Sequence, residues 1–198
     1  GLSGGSPALD LQAHIGEASL PAILSGLGRE IPLEGMFNAD AEVAGTLKDH
    51  TARLTVSASG LKAYGEDFGD LDVDARLAGR QLELTEFRMV KPEGGLVSAS
   101  GTLDLDSRHY RLKADAGFSF SRLILPEDMA VQGRLDFSAA GEGERDNPVV
   151  AAHIRFSDLK VRGMEMGTLS LAGQLGDRQA DIKVAAPRFG LTAGAPLP

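Results

Sequence analysis

From Gly35 onward apolar and polar residues alternate along most of the chain. Phe37, Ala39, Ala41 and Val43 begin the rhythm, and Ala52, Leu54, Val56 and Ala58 repeat it. It returns in Leu71-Val73-Ala75-Leu77, Leu82-Leu84, Val97-Ala99, Leu103-Leu105 and Tyr110-Leu112-Ala114. Phe118-Phe120, Leu135-Phe137, Val150-Ala152-Ile154-Phe156, Leu169-Leu171 and Ile182-Val184 continue it. Side chains of a strand point alternately to opposite faces, so this pattern predicts strands with one apolar and one polar face. Short turn signals separate the runs: "KDH", "YGED", "AGRQ", "KPEGG", "DSRH", "LPED", "GERDNP" and "GDRQ". Connections that short join antiparallel neighbours, and no amphipathic helix of crossover length intervenes. About ten strands in meander order are expected.

Residues 1–34 follow another pattern. Leu9, Leu11, Ile15, Leu20, Ile23, Leu24 and Leu27 partly keep helical spacing. "SLPAILSGLG" is the best short helix, with Ser19 as N-cap, Pro21 in the first turn and Gly26 or Gly28 to end it.

A second regularity lies above the first. "GDLDVDARLAGRQLEL" (Gly69–Leu84) and "GTLSLAGQLGDRQADI" (Gly167–Ile182) align without a gap, 98 positions apart. The same displacement sets Gly35–Gly45 over Gly133–Gly143 and Ser59–Leu71 over Ser157–Leu169. Shared residues cluster at Gly and Leu, which fix turns and core positions. A duplicated module of about five strands is expected, stacked so that each copy buries its ends against the next. The division is then 1–34 as a lead-in with a short helix, 35–132 as the first β repeat and 133–198 as a second, partial one.

Composition narrows the chemistry. The chain has 198 residues, no Cys, no Trp and a formal net charge of −8. Absent thiols exclude disulfides, thiolate catalysis and Cys-bound zinc. An acidic chain without a Lys/Arg cluster argues against nucleic acid. No apolar run approaches the roughly 18 residues of a membrane span. The ends "GLSGGSP" and "GAPLP" read as cuts in a longer protein, with any anchor outside this piece.

Candidate chemistry is thin. Asp70, Asp72 and Asp74 look like the start of a calcium loop, but Ala75 and Gln81 stand where its Gly and Glu belong. The second copy has Thr168, Ser170 and Ala172 there, so a solvated strand face is the better reading. His14, His50, His109 and His153 are scattered without metal-ligand spacing. "LVSASG" lacks the frame of a nucleophile elbow, and "GLSGG" and "LSGLGREI" lack the lysine of a phosphate loop. No catalytic residue, metal or cofactor is expected, and the chain is read as a non-enzyme.

The apolar stripe remains. It is either a sealed β core or an open trough for a greasy ligand, and periodicity alone serves both.

The stretches "SLPAILSGLGREIPLEGMFNADAEVAG", "GGLVSASGTLDLD" and "NPVVAAHIRFSDLKV" resemble the AsmA-like and TamB-like envelope proteins of Gram-negative bacteria. The likeness covers about Ser19 to Thr192. It implies an all-β, folded-over sheet of the β-taco type with an apolar inner face. It also implies a periplasmic location within an inner-membrane-anchored protein, and phospholipid transfer between the membranes. A BamA-like outer-membrane protein is the partner implied for the full-length chain. Phospholipid acyl chains would then contact Leu54, Val56, Leu71, Val73, Leu77, Leu82, Leu84, Leu103, Leu105 and Leu112 in the first module. In the second they would contact Leu135, Phe137, Ile154, Phe156, Leu169, Leu171, Leu175, Ile182 and Val184. Two other readings stand beside this one: a chaperone-like scaffold for outer-membrane protein assembly, and a structural β-solenoid spacer. Exposed end strands, near Phe37–Val43 or Ile182–Leu191, are expected to drive self-association.

Overall fold

The computed structural model describes residues 8–26, 28, 31–46, 49–92, 94–120, 130–144, 147–176 and 179–197. Among these residues twelve strands form one antiparallel sheet in which every strand pairs with its sequence neighbours. They are β1 (Ala8–Ser19), β2 (Leu33–Thr46), β3 (His50–Ala63), β4 (Glu66–Ala78), β5 (Gln81–Lys91) and β6 (Gly95–Asp104), then β7 (His109–Ser119), β8 (Val131–Glu144), β9 (Asn147–Val161), β10 (Met164–Gly176), β11 (Gln179–Ala186) and β12 (Leu191–Leu197). The order is strictly sequential, so the sheet is open, with β1 and β12 as its two edges. One helix, α1 (Leu20–Gly26), links β1 to β2, and a 3-10 turn, Pro187–Phe189, links β11 to β12.

That is two strands more than the alternation predicts. β12 carries the weak run "LTAGAPL", and β1 occupies much of the expected lead-in. The partly helical spacing of Leu9, Leu11 and Ile15 arises from a strand with a bulge. Pairing to β2 shifts between Ile15 and Ala18, and Glu17 takes φ +48 while its N–H donates to Asn38 Oδ1. The short helix runs over Leu20–Gly26, as its caps predict.

Nine of the connections have two to four residues, as meander pairing requires. Tyr64-Gly65 and Arg162-Gly163 both turn with positive φ at each residue, which gives them the twist of a tight hairpin. The second turn carries no Asn, Asp or Pro, and the turn signals pass over it. The turn read at 125–128 lies outside the described residues.

The 98-residue displacement reappears in the backbone. β8 begins and ends 98 positions after β2, and β10 does so after β4. Positive φ recurs in pairs: Gly35 and Gly133, Gly60 and Asp158, Tyr64 and Arg162, Gly69 and Gly167. The Tyr64 N–H donates to the Pro32 carbonyl at 3.2 Å, and the Arg162 N–H to the Ala130 carbonyl at 3.0 Å.

The equivalence also extends beyond the sequence match. β1 meets β2 as β7 meets β8: Leu9 faces Gly45 and Leu11 faces Val43, while Tyr110 faces Gly143 and Leu112 faces Gly141. β12 meets β11 as β6 meets β5: Ala193 faces Val184 and Leu191 faces Ala186, while Ala99 faces Phe87 and Val97 faces Met89. The structure therefore repeats in sets of six strands, β1–β6 and β7–β12. The expected module limits at residues 34/35 and 132/133 fall inside β2 and β8.

Candidate functional site

Directly opposed residues of an antiparallel ladder share a face. One row can therefore be followed across the sheet: Ile15, Ala39, Val56, Val73, Phe87, Ala99, Ala114, Ala139, Ala152, Gly173 and Ile182. A parallel row runs from Phe37 through Ala58, Leu71, Met89, Val97, Ala116, Phe137, Ile154 and Leu171 to Val184. Every position in both is apolar. Twelve strands at about 4.8 Å spacing make this face roughly 50 Å long.

All but one of the expected lining residues lie on this face. Leu54 and Leu84 both pair with Ala75, Leu77 pairs with Leu82 and Leu82 with Leu103, and Leu112 pairs with Gly101. Leu135 pairs with Phe156, Phe156 with Leu169, and Leu175 with Val150. Leu105 is the exception. It lies in the turn after β6, where its N–H bonds the Arg80 carbonyl, and its side chain is exposed. β6 ends at Asp104, whose carboxylate accepts from the N–H groups of Asp106 and Ser107 and turns the chain there.

The expectations overlook Phe87 and Met89. A register shift between Asp74 and Ala75 on β4 inserts an extra residue at Thr85, where the hydroxyl bonds the Asp74 carbonyl at 2.9 Å. The apolar phase thus passes from the even numbers Leu82 and Leu84 to the odd numbers Phe87 and Met89. An apolar pair resuming three positions after Leu84 was the available signal.

The face is open. Among the described residues only Ala58 and Ala186 of the apolar ones are buried, and no side chain is fully enclosed. Leu54, Leu82, Leu112, Leu175 and Ile182 are between 38% and 46% exposed. The accessible surface is 13450 Å², against roughly 8,900 Å² for a compact monomer of this mass. A sheet covered on one side by a second layer would not retain that excess. Neighbours on the same face shield one another, notably Phe120 and Phe156, stacked with ring centroids 5.9 Å apart.

At the margin beyond Met89, Lys91 is almost wholly buried. It pairs with Glu66, and its ammonium lies 5.2 Å from the Phe68 ring centre. The positions 98 residues on hold Met164 and Phe189, both well exposed. After the extra residue at Thr85 the strand position of Lys91 is taken by Arg188, which pairs with Glu165 at 3.3 Å. Both repeats thus carry an ion pair at this margin, buried in the first and exposed in the second.

The opposite face is polar and laced with ion pairs. Arg53 binds Asp74, Arg111 binds Glu142 at 2.7 Å, and His14 Nδ1 lies 2.6 Å from Asp40. Hydrogen bonds from Arg53 hold the Asp74 carboxyl below its ordinary pKa, and Arg111 does the same to Glu142. Asp74 is thus committed to Arg53 and Thr85, and Asp70 accepts the Gly60 N–H. Among the described residues no three His, Asp or Glu side chains gather as a metal site. Hollows of about 450 and 570 Å³ lie on this face, between long charged side chains such as Arg134 and Arg155, or Arg53 and Arg76. They are gaps in a solvated layer.

No described helix is long and apolar enough to cross a membrane. No protein-family model, curated protein or solved structure matches the chain.

Proposed function

We propose that this chain is a periplasmic segment of an AsmA- or TamB-like bridge, and that its apolar face carries phospholipid acyl chains between the inner and outer membranes. The reading rests on one observation above all: an apolar face that crosses all twelve strands and stays half exposed. Monomers rarely leave so large an apolar surface bare unless something binds it. An acyl chain needs no hydrogen-bond partner, only a dry surface. Covering ten methylenes gains up to about 8 kcal/mol. Repeated Leu, Val, Ile and Ala spread that gain evenly, which suits a cargo that must slide and leave. The role assigns no catalytic group and no cofactor, and the full-length protein would meet a BamA-like partner at the outer membrane.

The test is site-specific photo-crosslinking in cells making the full-length protein. Probes at Val73 and Leu171, on the apolar face, should capture phospholipid. Probes at Asp72 and Ser170, one residue away on the other face, should not. If Val73 and Leu171 capture no lipid while the protein is working, the conduit reading fails.

Among the described residues nothing pairs with the outer sides of β1 and β12, which favours a second reading, a scaffold that adds an unfolded outer-membrane strand to its edge. Peptide adducts along an edge, in place of lipid on the face, would select it.

A further inference from the structure

We infer that β12 of one copy of this chain pairs with β1 of a second copy, in the register that already joins β6 to β7 within the molecule. The six-strand repeat supplies the template. At the internal junction Leu103 faces Tyr110, Gly101 faces Leu112, Ala99 faces Ala114 and Val97 faces Ala116. By position in the repeat, β12 stands for β6 and β1 stands for β7. Substitution into the template puts Ala193 opposite Ala13 of the next copy, Leu191 opposite Ile15, and Ala195 opposite Leu11.

Three features suit the join. Twelve is an even number, so strand direction still alternates across the boundary when the second copy follows without reversal. The apolar faces of both copies then lie on the same side and continue each other. Among the described residues β1 and β12 have no neighbour on their outer sides, and Leu11 and Leu191 are 60% and 50% exposed. Neither edge carries the usual deterrent, an inward-pointing charge: the relevant β1 positions are Leu9, Leu11, Ala13 and Ile15. Pro196, opposite Asp10 of the next copy, lacks an N–H and costs the ladder at most one bond.

A head-to-tail contact of this kind is heterologous, so it propagates to a ring or a filament rather than stopping at a dimer. Accumulated sheet twist would make an open filament helical. The register does not depend on what the apolar face carries, and the pairing concerns this chain by itself, whose edges a longer bridge would cover with its own adjoining strands.

The chain has no cysteine, which gives a clean background. Ala13→Cys and Ala193→Cys are made as separate chains, one with a size tag, mixed, and treated with a short bifunctional thiol crosslinker. The expected product joins Ala13→Cys to Ala193→Cys, and sedimentation of the parent chain shows mass rising with concentration. Ala13→Lys, an inward charge on the edge, should stay folded by circular dichroism and sediment as a monomer. Products joining two Ala193→Cys chains, or two Ala13→Cys chains, would mean like edges meet and would overturn the inference. A strict monomer at the highest soluble concentration, without crosslinked product, would overturn it as well.

Discussion

Leu71 and Leu169 occupy matching places in β4 and β10, each facing the apolar side and each only half-buried. An arginine there can bury its aliphatic stem along neighbouring Leu and Val while its guanidinium stays in water. Leu71→Arg and Leu169→Arg should therefore cost about 1–2 kcal/mol each. Several kcal/mol would follow if the charge were buried without a partner. Urea midpoints measure the cost, and complementation measures function in cells lacking the full-length protein. Folded but inactive variants at both sites are expected. Unfolding at both would show that something covers the face.

Gly69 and Gly167 open the paired stretches in β4 and β10 with nearly the same backbone, φ +73 and +78. Both sit at register shifts, where the strand must bulge. Alanine is disfavoured by the left-handed conformation at either position, by roughly 1–2 kcal/mol. Their surroundings differ. A Cβ at Gly69 would overlap the Val90 carbonyl and approach the Pro92 ring, whereas at Gly167 it meets only the Arg188 side chain, at 3.4 Å. A flexible side chain can swing aside, but a ladder carbonyl cannot. Gly69→Ala should thus lower the urea midpoint clearly more than Gly167→Ala. Equal losses would mean that β5 yields at Val90 without cost.

Across the whole molecule the polar face holds carboxylates with depressed pKa values. Asp74 and Glu142 are held down chiefly by Arg53 and Arg111, Asp104 by the Ser107 N–H, and Glu165 by Lys160 and Arg188. A carboxyl whose folded pKa is lowered binds its proton more readily in the unfolded chain. Its stabilisation is present above the unfolded value, near 4, and disappears as pH falls through the lower folded value. The urea midpoint should stay nearly flat from about pH 7 to 5 and fall below about pH 4. Glu142 and Glu165 are exposed, so added salt should shrink the fall. An unchanged midpoint down to about pH 3 would mean that the ion pairs contribute nothing to folding.

Strand positions, the side each residue faces and the 98-residue displacement were legible in the sequence. A period of two has one structural cause, and chance does not preserve Gly and Leu through sixty ungapped positions. The short helix was legible too, because Ser19, Pro21 and Gly26 act locally. Long-range pairing decided the rest. β1 is a strand because β2 offers it a ladder, despite a bulge that blurs its alternation. The extra residue at Thr85 moves Phe87 and Met89 onto the apolar face, and only the register with β4 reveals it. The edges are β1 and β12, whereas the expected ones, Phe37–Val43 and Ile182–Leu191, lie mostly in or beside β2 and β11, which are paired on both sides, and reach an edge strand only at Leu191. Above all, alternation states that one face is apolar but not what lies over it. Covered and bare faces have the same period, and solvent exposure depends on whether another layer of chain returns across the sheet. Here the strands pair strictly in sequence from one edge to the other, and large apolar side chains such as Leu54, Leu112 and Ile182 stay partly exposed.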